Sequence, residues 1–135
     1  MLSGTIPARV LRAAQFHEFV AQLMEWGARG EVTYVPRMRT QLVAAKTVAQ
    51  ALAVLATASD EPEPSILEIA GLREERLVEI ATLLAARRGD ATRIEEVSDP
   101  ADPGQAVYES GALLPGPGAI LAGPTFEEWL DAGGA

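Results

Sequence analysis

The stretch VLRAAQFHEFVAQLMEWG, residues 10–27, passes from a short apolar run into a helical pattern, and this succession decides the fold class. The run ARVLRA, residues 8–13, is mostly apolar and partly β-branched, which predicts a strand that lies inside a sheet. From residue 15 onward, apolar residues recur at the spacing of one helix face, and Gly27 or Gly30 ends the helix. These apolar residues are Phe16, Phe19, Val20, Leu23 and Met24.

Strand and helix patterns continue to alternate along the chain. EVTYVP at 31–36, ILEIAG at 66–71 and ATRIEEV at 91–97 indicate further strands. A second helix follows residue 43, with Thr47 and Gln50 at the spacing of a capping box. Its predicted buried face consists of Val48, Leu52 and Leu55. The alternation predicts an α/β fold, with a small mixed sheet and three to four helices, in a single domain over residues 1–135.

Two more helices are predicted nearer the end of the sequence. LREERLVEIATLLAARRG, residues 72–89, has acidic residues in its first turn, arginines in its last turn and Gly89 as its end. Its predicted core stripe is Leu77, Ile80, Ala81 and Leu84. Thr125 and Glu128 predict a capped final helix. Glycines and prolines predict an irregular arm at 99–124, whose part from 113 to 124 either closes over a pocket as a lid or covers a sheet edge.

Composition excludes several classes of function. The formal charge is −8, from 19 acidic and 11 basic residues, which argues against nucleic-acid or anionic-membrane partners. No apolar run approaches the roughly 18 residues that a bilayer span needs, so a soluble, cytoplasmic protein is expected. The absence of cysteine and the single histidine exclude thiolate chemistry and predict no metal site within one chain.

The residues suggest candidate sites, each with a structural alternative. His17 is either a general acid or base, or a partly exposed residue in the first turn of its helix. Arg37 and Arg39 either bind a substrate carboxylate or cofactor phosphate, or form surface ion pairs. Phe16 and Phe19 either line an apolar ligand pocket or belong to the core.

Four segments, taken together and in order, resemble one known family. They are VLRAAQFHEF, VPRMRTQLVAAKTVAQALAVLA, LEIAGLREERLVEIATLLAARRG and LLPGPGAILAGPTFEEWL. They resemble the C-terminal half of atypical short-chain dehydrogenase/reductases (SDRs), of which the NmrA-like NAD(P)-binding proteins are the most similar group, over residues 3–130. The resemblance implies that strand VLRA joins a Rossmann sheet, that Gln15 approaches the nicotinamide and that His17 lines the substrate pocket. Gln15 has the alternative role of capping the start of its helix.

The Gly-rich turn of that family, which binds the pyrophosphate, has no counterpart in this sequence. GPGAILAG at 116–123 neither follows a clear strand nor opens an amphipathic helix. The expectation is therefore an apolar small-molecule pocket in a substrate-side half that binds no NAD(P) tightly alone. NAD(P) binds only with a partner that supplies the Gly-rich half.

Two types of partner and three classes of function remain open. The expected partner is a second copy, which would form a homodimer, or a complementary SDR half. The functional classes are a subunit or fragment of an NAD(P)H-dependent oxidoreductase, a cofactor-free isomerase, cyclase or binder, and a truncated product with a structural role only.

Overall fold

A computed structural model describes residues 9–57 and 65–133, where strands and helices alternate as predicted. The α/β class is confirmed. The described residues form five helices and three small sheets, rather than three to four helices around one sheet. In chain order the elements are β1 Arg9–Ala13, α1 Phe19–Gly27, β2 Ala28–Arg29, β3 Val32–Pro36, β4 Arg39–Thr40, α2 Ala45–Thr57, β5 Ser65–Ala70, β6 Glu75–Arg76, α3 Leu77–Arg87, β7 Arg93–Val97, α4 Gln105–Ser110, β8 Ile120–Leu121 and α5 Phe126–Asp131.

The strand at the start of the described chain pairs with β5. β1 and β5 are parallel, with Arg9 opposite Ser65 and Ala13 opposite Ile69. β8 adds in parallel to the other side of β5, which gives the order β1-β5-β8. Within residues 9–57 and 65–133, β1 is therefore an edge strand, so the prediction that it lies inside a sheet is wrong for this part of the chain. The other sheets are β2-β3-β7 and β4-β6.

The first helix begins at Phe19, four residues later than its apolar pattern suggests. The Val43 N–H donates to the Gln15 carbonyl and the His17 N–H donates to the Val43 carbonyl, both at 3.0 Å. This strand-like bridge holds residues 15–17 extended, so a helix cannot start there. The helix ends at Gly27, where a Cβ atom would lie 1.8 Å from the Tyr34 carbonyl oxygen, and only glycine permits this contact with β3.

The second helix differs from its prediction at its start and on its buried face. It begins at Ala45, so Thr47 lies within its first turn and the predicted capping box is wrong. The Ala45 N–H instead donates to the Glu18 carboxylate at 3.2 Å. Val48 is buried as predicted, but Leu52 is 50% exposed.

The third helix begins at Leu77, not at residue 72, because a short strand precedes it. Glu75 and Arg76 pair antiparallel with β4, and the Leu77 N–H donates to the Met38 carbonyl at 3.0 Å. Its predicted end is confirmed. Gly89 has φ +66°, and hydrogen bonds from the Gly89 and Asp90 N–H groups to the last turn form a Schellman motif. The predicted core stripe is fully buried.

The segment at 99–124, predicted to be irregular, contains regular structure. Helix α4 follows a turn in which the Gly104 N–H donates to the Asp102 carboxylate at 2.8 Å. It ends at Ser110, and Gly111 caps it with a φ of +86°. Strand β8 continues its pairing through the Ala122 N–H, which donates to the Ala70 carbonyl at 3.0 Å. The predicted capping box of α5 is confirmed, with reciprocal bonds of 2.9 and 3.2 Å between Thr125 and Glu128.

The described residues contain two hydrophobic clusters. The larger cluster lies between β3 and helices α1, α3 and α5, and it includes Val20, Val35, Leu77, Ile80, Leu84 and Phe126. The smaller cluster consists of Val43, Val48 and Ile69, beside the β1-β5-β8 sheet. None of the described helices is long and apolar enough to cross a membrane.

Candidate ligand-binding site at the end of strand β1

The carboxyl end of β1 opens onto a shallow depression of about 250 Å³, lined by Ala13, Ala14, Gln15, Phe16 and Phe19. The Ala14 N–H makes a further bond to β5, donating to the Ile69 carbonyl at 2.9 Å, before the chain turns to pair with Val43. Phe16 is 37% exposed at this turn. Ligands of α/β sheets bind at the carboxyl ends of parallel strands, so this depression is the candidate site.

Gln15 is the polar side chain of the depression, and Thr40 orients it. The Thr40 hydroxyl donates to Gln15 Oε1 at 3.0 Å, and Thr40 itself is 1% exposed. With Oε1 engaged, the Gln15 amide nitrogen has no hydrogen-bond partner within the described ranges. The two N–H donors of the Gln15 amide are therefore not used by the hydrogen bond to Thr40.

His17 is buried, which corrects its interpretation as a partly exposed residue of the first helical turn. It is 2% exposed and lies in the turn before α1. Its Nε2 is 2.9 Å from the Pro124 carbonyl oxygen. A carbonyl only accepts, so Nε2 carries the proton and the neutral ring has its lone pair on Nδ1. The ring centroid is 5.4 Å from those of both Phe126 and Trp129.

The environment of His17 keeps its imidazole neutral. Burial lowers its pKa below the ordinary 6.5, and it outweighs the opposing effects of the Pro124 bond and the charges of Glu18 and Glu75. His17 is absent from the lining of the depression. It borders a separate cavity of about 120 Å³, together with Glu18, Ala21, Leu84 and Trp129. The structure therefore does not bring His17 together with Gln15, Phe16 and Phe19 at one site.

The two candidate arginines form ion pairs. Arg39 donates to both carboxylate oxygens of Glu74, at 2.7 and 3.2 Å, and this bond lowers the pKa of Glu74. Arg37 lies 3.6 Å from the Glu96 carboxylate and 3.4 Å from that of Glu109. Neither arginine lines the depression. These contacts favour the ion-pairing interpretation, while anion binding by either residue stays a prediction.

Thr40 and Pro124 position Gln15 and His17, and neither is a candidate residue from the sequence. Thr40 is 25 residues from Gln15, and Pro124 is 107 residues from His17. No local pattern of residue types signals either contact, because each depends on how distant segments meet.

The lining of the depression is suited to binding a ligand and not to transferring a proton. Its lining combines four apolar residues with one amide and contains no titratable side chain. In the described part of the chain, no group of three or more His, Asp or Glu side chains is placed to hold a metal ion. Comparison of the sequence with models of known families and with curated proteins gives no match.

Proposed function

We propose that the protein is the substrate-side half of an NmrA-like SDR and binds an apolar small molecule in the depression at the end of β1. The observation that carries this proposal is the position of the depression, at the carboxyl end of a parallel strand whose outer edge is open in the described residues. Phe16 and Phe19 would contact the apolar part of the ligand. The Gln15 amide would donate to a ligand oxygen.

The described residues around the depression do not fit a complete dinucleotide. A pyrophosphate needs several backbone N–H groups at a Gly-rich turn or a helix N-terminus, whereas the lining is two alanines, one glutamine and two phenylalanines. The proposal therefore assigns no tight NAD(P) binding to this chain alone. An NAD(P)H-dependent oxidoreductase would require another chain that carries the Gly-rich half.

The outer edge of β1, which no strand of residues 9–57 and 65–133 covers, supports the partner part of the proposal. An edge strand presents unpaired N–H and C=O groups, which readily pair with a further strand. The proposed partner is a complementary SDR half or a second copy in a homodimer, placed in the cytoplasm. A cofactor-free binder is the second candidate, favoured by the apolar lining. An isomerase or cyclase would need a proton-transfer group, which that lining does not contain.

The first experiment is a calorimetric titration of the purified protein with 1,4-naphthoquinone, an apolar probe with two carbonyl acceptors. Binding is expected in the micromolar range. Phe16→Ser should weaken it by about tenfold or more, because burying a large apolar side chain contributes roughly 1.5–3 kcal/mol. Leu72→Ser, at an exposed leucine outside the depression, is the matched control and should change affinity less than twofold.

NADPH and NADH should give no binding at micromolar concentration in the same preparation. Tight NADPH binding would show that this chain has its own nucleotide site and would contradict that part of the proposal. If Phe16→Ser and Leu72→Ser had equal effects, the depression would not be the site. Light scattering on the same sample measures whether the chain is a monomer or a dimer.

A further inference from the structure

A cavity of about 620 Å³ lies between the start of α2, the residues directly after β8 and the end of α5. Its volume falls within the roughly 300–1,000 Å³ that is typical of small-molecule sites. Strand β8 is parallel to β5, so the cavity lies at the carboxyl end of a parallel strand, where α/β proteins bind ligands. It shares no lining residue with the depression at β1, so the two are separate sites.

The backbone after β8 forms a fixed wall of this cavity. Gly123 has φ +82°, and a Cβ atom there would lie 2.3 Å from Thr47 Oγ1, so only glycine permits this approach to α2. The neighbouring Pro124 carbonyl oxygen is 2.9 Å from His17 Nε2. The wall is therefore held in place by contacts with two other segments of the chain.

Lys46 is the only charged side chain among the described residues that line the cavity. It is exposed and forms no ion pair within residues 9–57 and 65–133, whereas six arginines there pair with carboxylates. Glu18, whose carboxylate accepts from the Ala45 N–H, does not line the cavity. A lysine carries its charge on a flexible four-carbon stem, so the Lys46 ammonium is free to meet an anion at this site.

Trp129 gives the cavity an aromatic wall. Its ring centroid is 5.4 Å from that of His17 and 5.5 Å from that of Phe126, and these contacts fix its position. A fixed indole offers a rigid apolar surface on which a flat ring packs. Thr47 and Gln50 of α2 also line the cavity and carry a hydroxyl and an amide, which are able to donate hydrogen bonds.

We propose that this cavity binds a small aromatic carboxylate, whose charge pairs with Lys46 and whose ring packs on Trp129. The lining supports both parts, since it combines an unpaired cation with a fixed aromatic ring and contains no carboxylate among the described residues. The formal charge of −8 repels anions, but salt at about 0.15 M screens exposed charges beyond roughly 8 Å. The nearby lysine therefore determines the preference for charge.

The proposal is tested by titrating the protein with benzoate and with benzamide, which have nearly the same size and shape but differ in charge. The background is Trp26→Phe, which leaves Trp129 as the only tryptophan, so its indole N–H resonance reports on the cavity. Benzoate should shift this resonance and bind about threefold more tightly than benzamide at low salt, the effect of one exposed ion pair. The preference should shrink toward onefold at about 0.5 M salt. Equal or weaker binding of benzoate at low salt, or no shift with either probe, would overturn the proposal.

Two pairs of variants locate the binding. Lys46→Gln and Arg93→Gln each remove one positive charge, but only Lys46 lines the cavity. Benzoate should lose its preference in Lys46→Gln and keep it in Arg93→Gln. Ala132→Phe occupies part of the cavity and should weaken both probes, whereas Ala86→Phe, at an exposed alanine of α3, should weaken neither. Equal effects within either pair would place the binding elsewhere and contradict the proposal.

Discussion

Among the described residues, the two three-stranded sheets have the same number of strands but are covered by buried apolar side chains to different extents. Helices α1 and α3 contact β3, and together with α5 they build the larger hydrophobic cluster on β2-β3-β7. The β1-β5-β8 sheet has the smaller cluster of Val43, Val48 and Ile69, and α2 beside it has Leu52 half exposed. In the described residues, the apolar stripes of the helices, and not the number of strands, account for the difference in buried cover between the two sheets.

The largest expected effect comes from removing an aromatic side chain of the larger cluster. Phe126 is 1% exposed and its ring contacts His17 and Trp129. Phe126→Ala should lower the free energy of unfolding by about 3–5 kcal/mol, through lost burial and the cavity that remains. Leu121→Ala, in the half-exposed strand β8, is the control and should lower it by less than about 1 kcal/mol. Urea unfolding measures both, and equal losses would contradict the placement of Phe126 in a closely packed cluster and of Leu121 at an exposed strand.

An intermediate effect is expected in the local stability of the two sheets. Backbone amides of β1 and β5 should exchange with solvent through local openings whose free-energy cost is about 2 kcal/mol lower than that for β3 and β7, because fewer of the described side chains around them are buried. Native-state hydrogen exchange followed by NMR measures this difference. If the slowest-exchanging amides were found in β5, the smaller cluster would be the more stable part.

The smallest effect concerns His17, which joins the two regions. The backbone N–H of His17 donates to the carbonyl of Val43, in the smaller cluster. The ring of His17 packs on Phe126, in the larger cluster. Since burial lowers its folded pKa, the unfolded chain takes up a proton first as the pH falls below about 6.5. Stability should therefore fall between pH 7.5 and 5.5, by less than about 1.4 kcal/mol in total.

The matched comparison for this pH dependence is His17→Phe, which lacks the titrating group. Urea unfolding of both proteins at the two pH values gives the contribution of the histidine as the difference between their pH dependences. A wild-type protein whose stability rose relative to the variant on acidification would show that the folded pKa is raised instead.

Features that depend on neighbouring residues were predictable from the sequence. The stripe of Leu77, Ile80 and Leu84, the Gly89 end of α3 and the capping box of α5 are all confirmed. Each depends on residues within one or two turns of the helix concerned. The alternation of strand and helix patterns, which defines the α/β class, also depends on neighbouring residues, and it is confirmed as well.

Features that depend on distant backbone contacts were not predictable. Helix α1 starts late because of Val43, and α3 starts late because of Met38, a residue far from it in the chain. Gln15, Phe16 and Phe19 were candidates from the sequence, and all three lie in the lining of the depression, while their role in binding a ligand stays a prediction. His17 was assigned the wrong exposure because its ring partners belong to the far end of the sequence.

The short length of β8 limits how many chains could assemble through the β1-β5-β8 sheet. β8 has two residues, so it offers too little backbone to receive an incoming strand, whereas β1 offers five residues whose outer edge is uncovered in the described part of the chain. Any growth of this sheet by strand addition would take place on the β1 side. If a second copy paired through its own β1, both chains would use the same surface for the contact. Neither chain would then have a free β1 edge to bind a third copy. Assembly by this route would stop at two chains instead of continuing into a fibre.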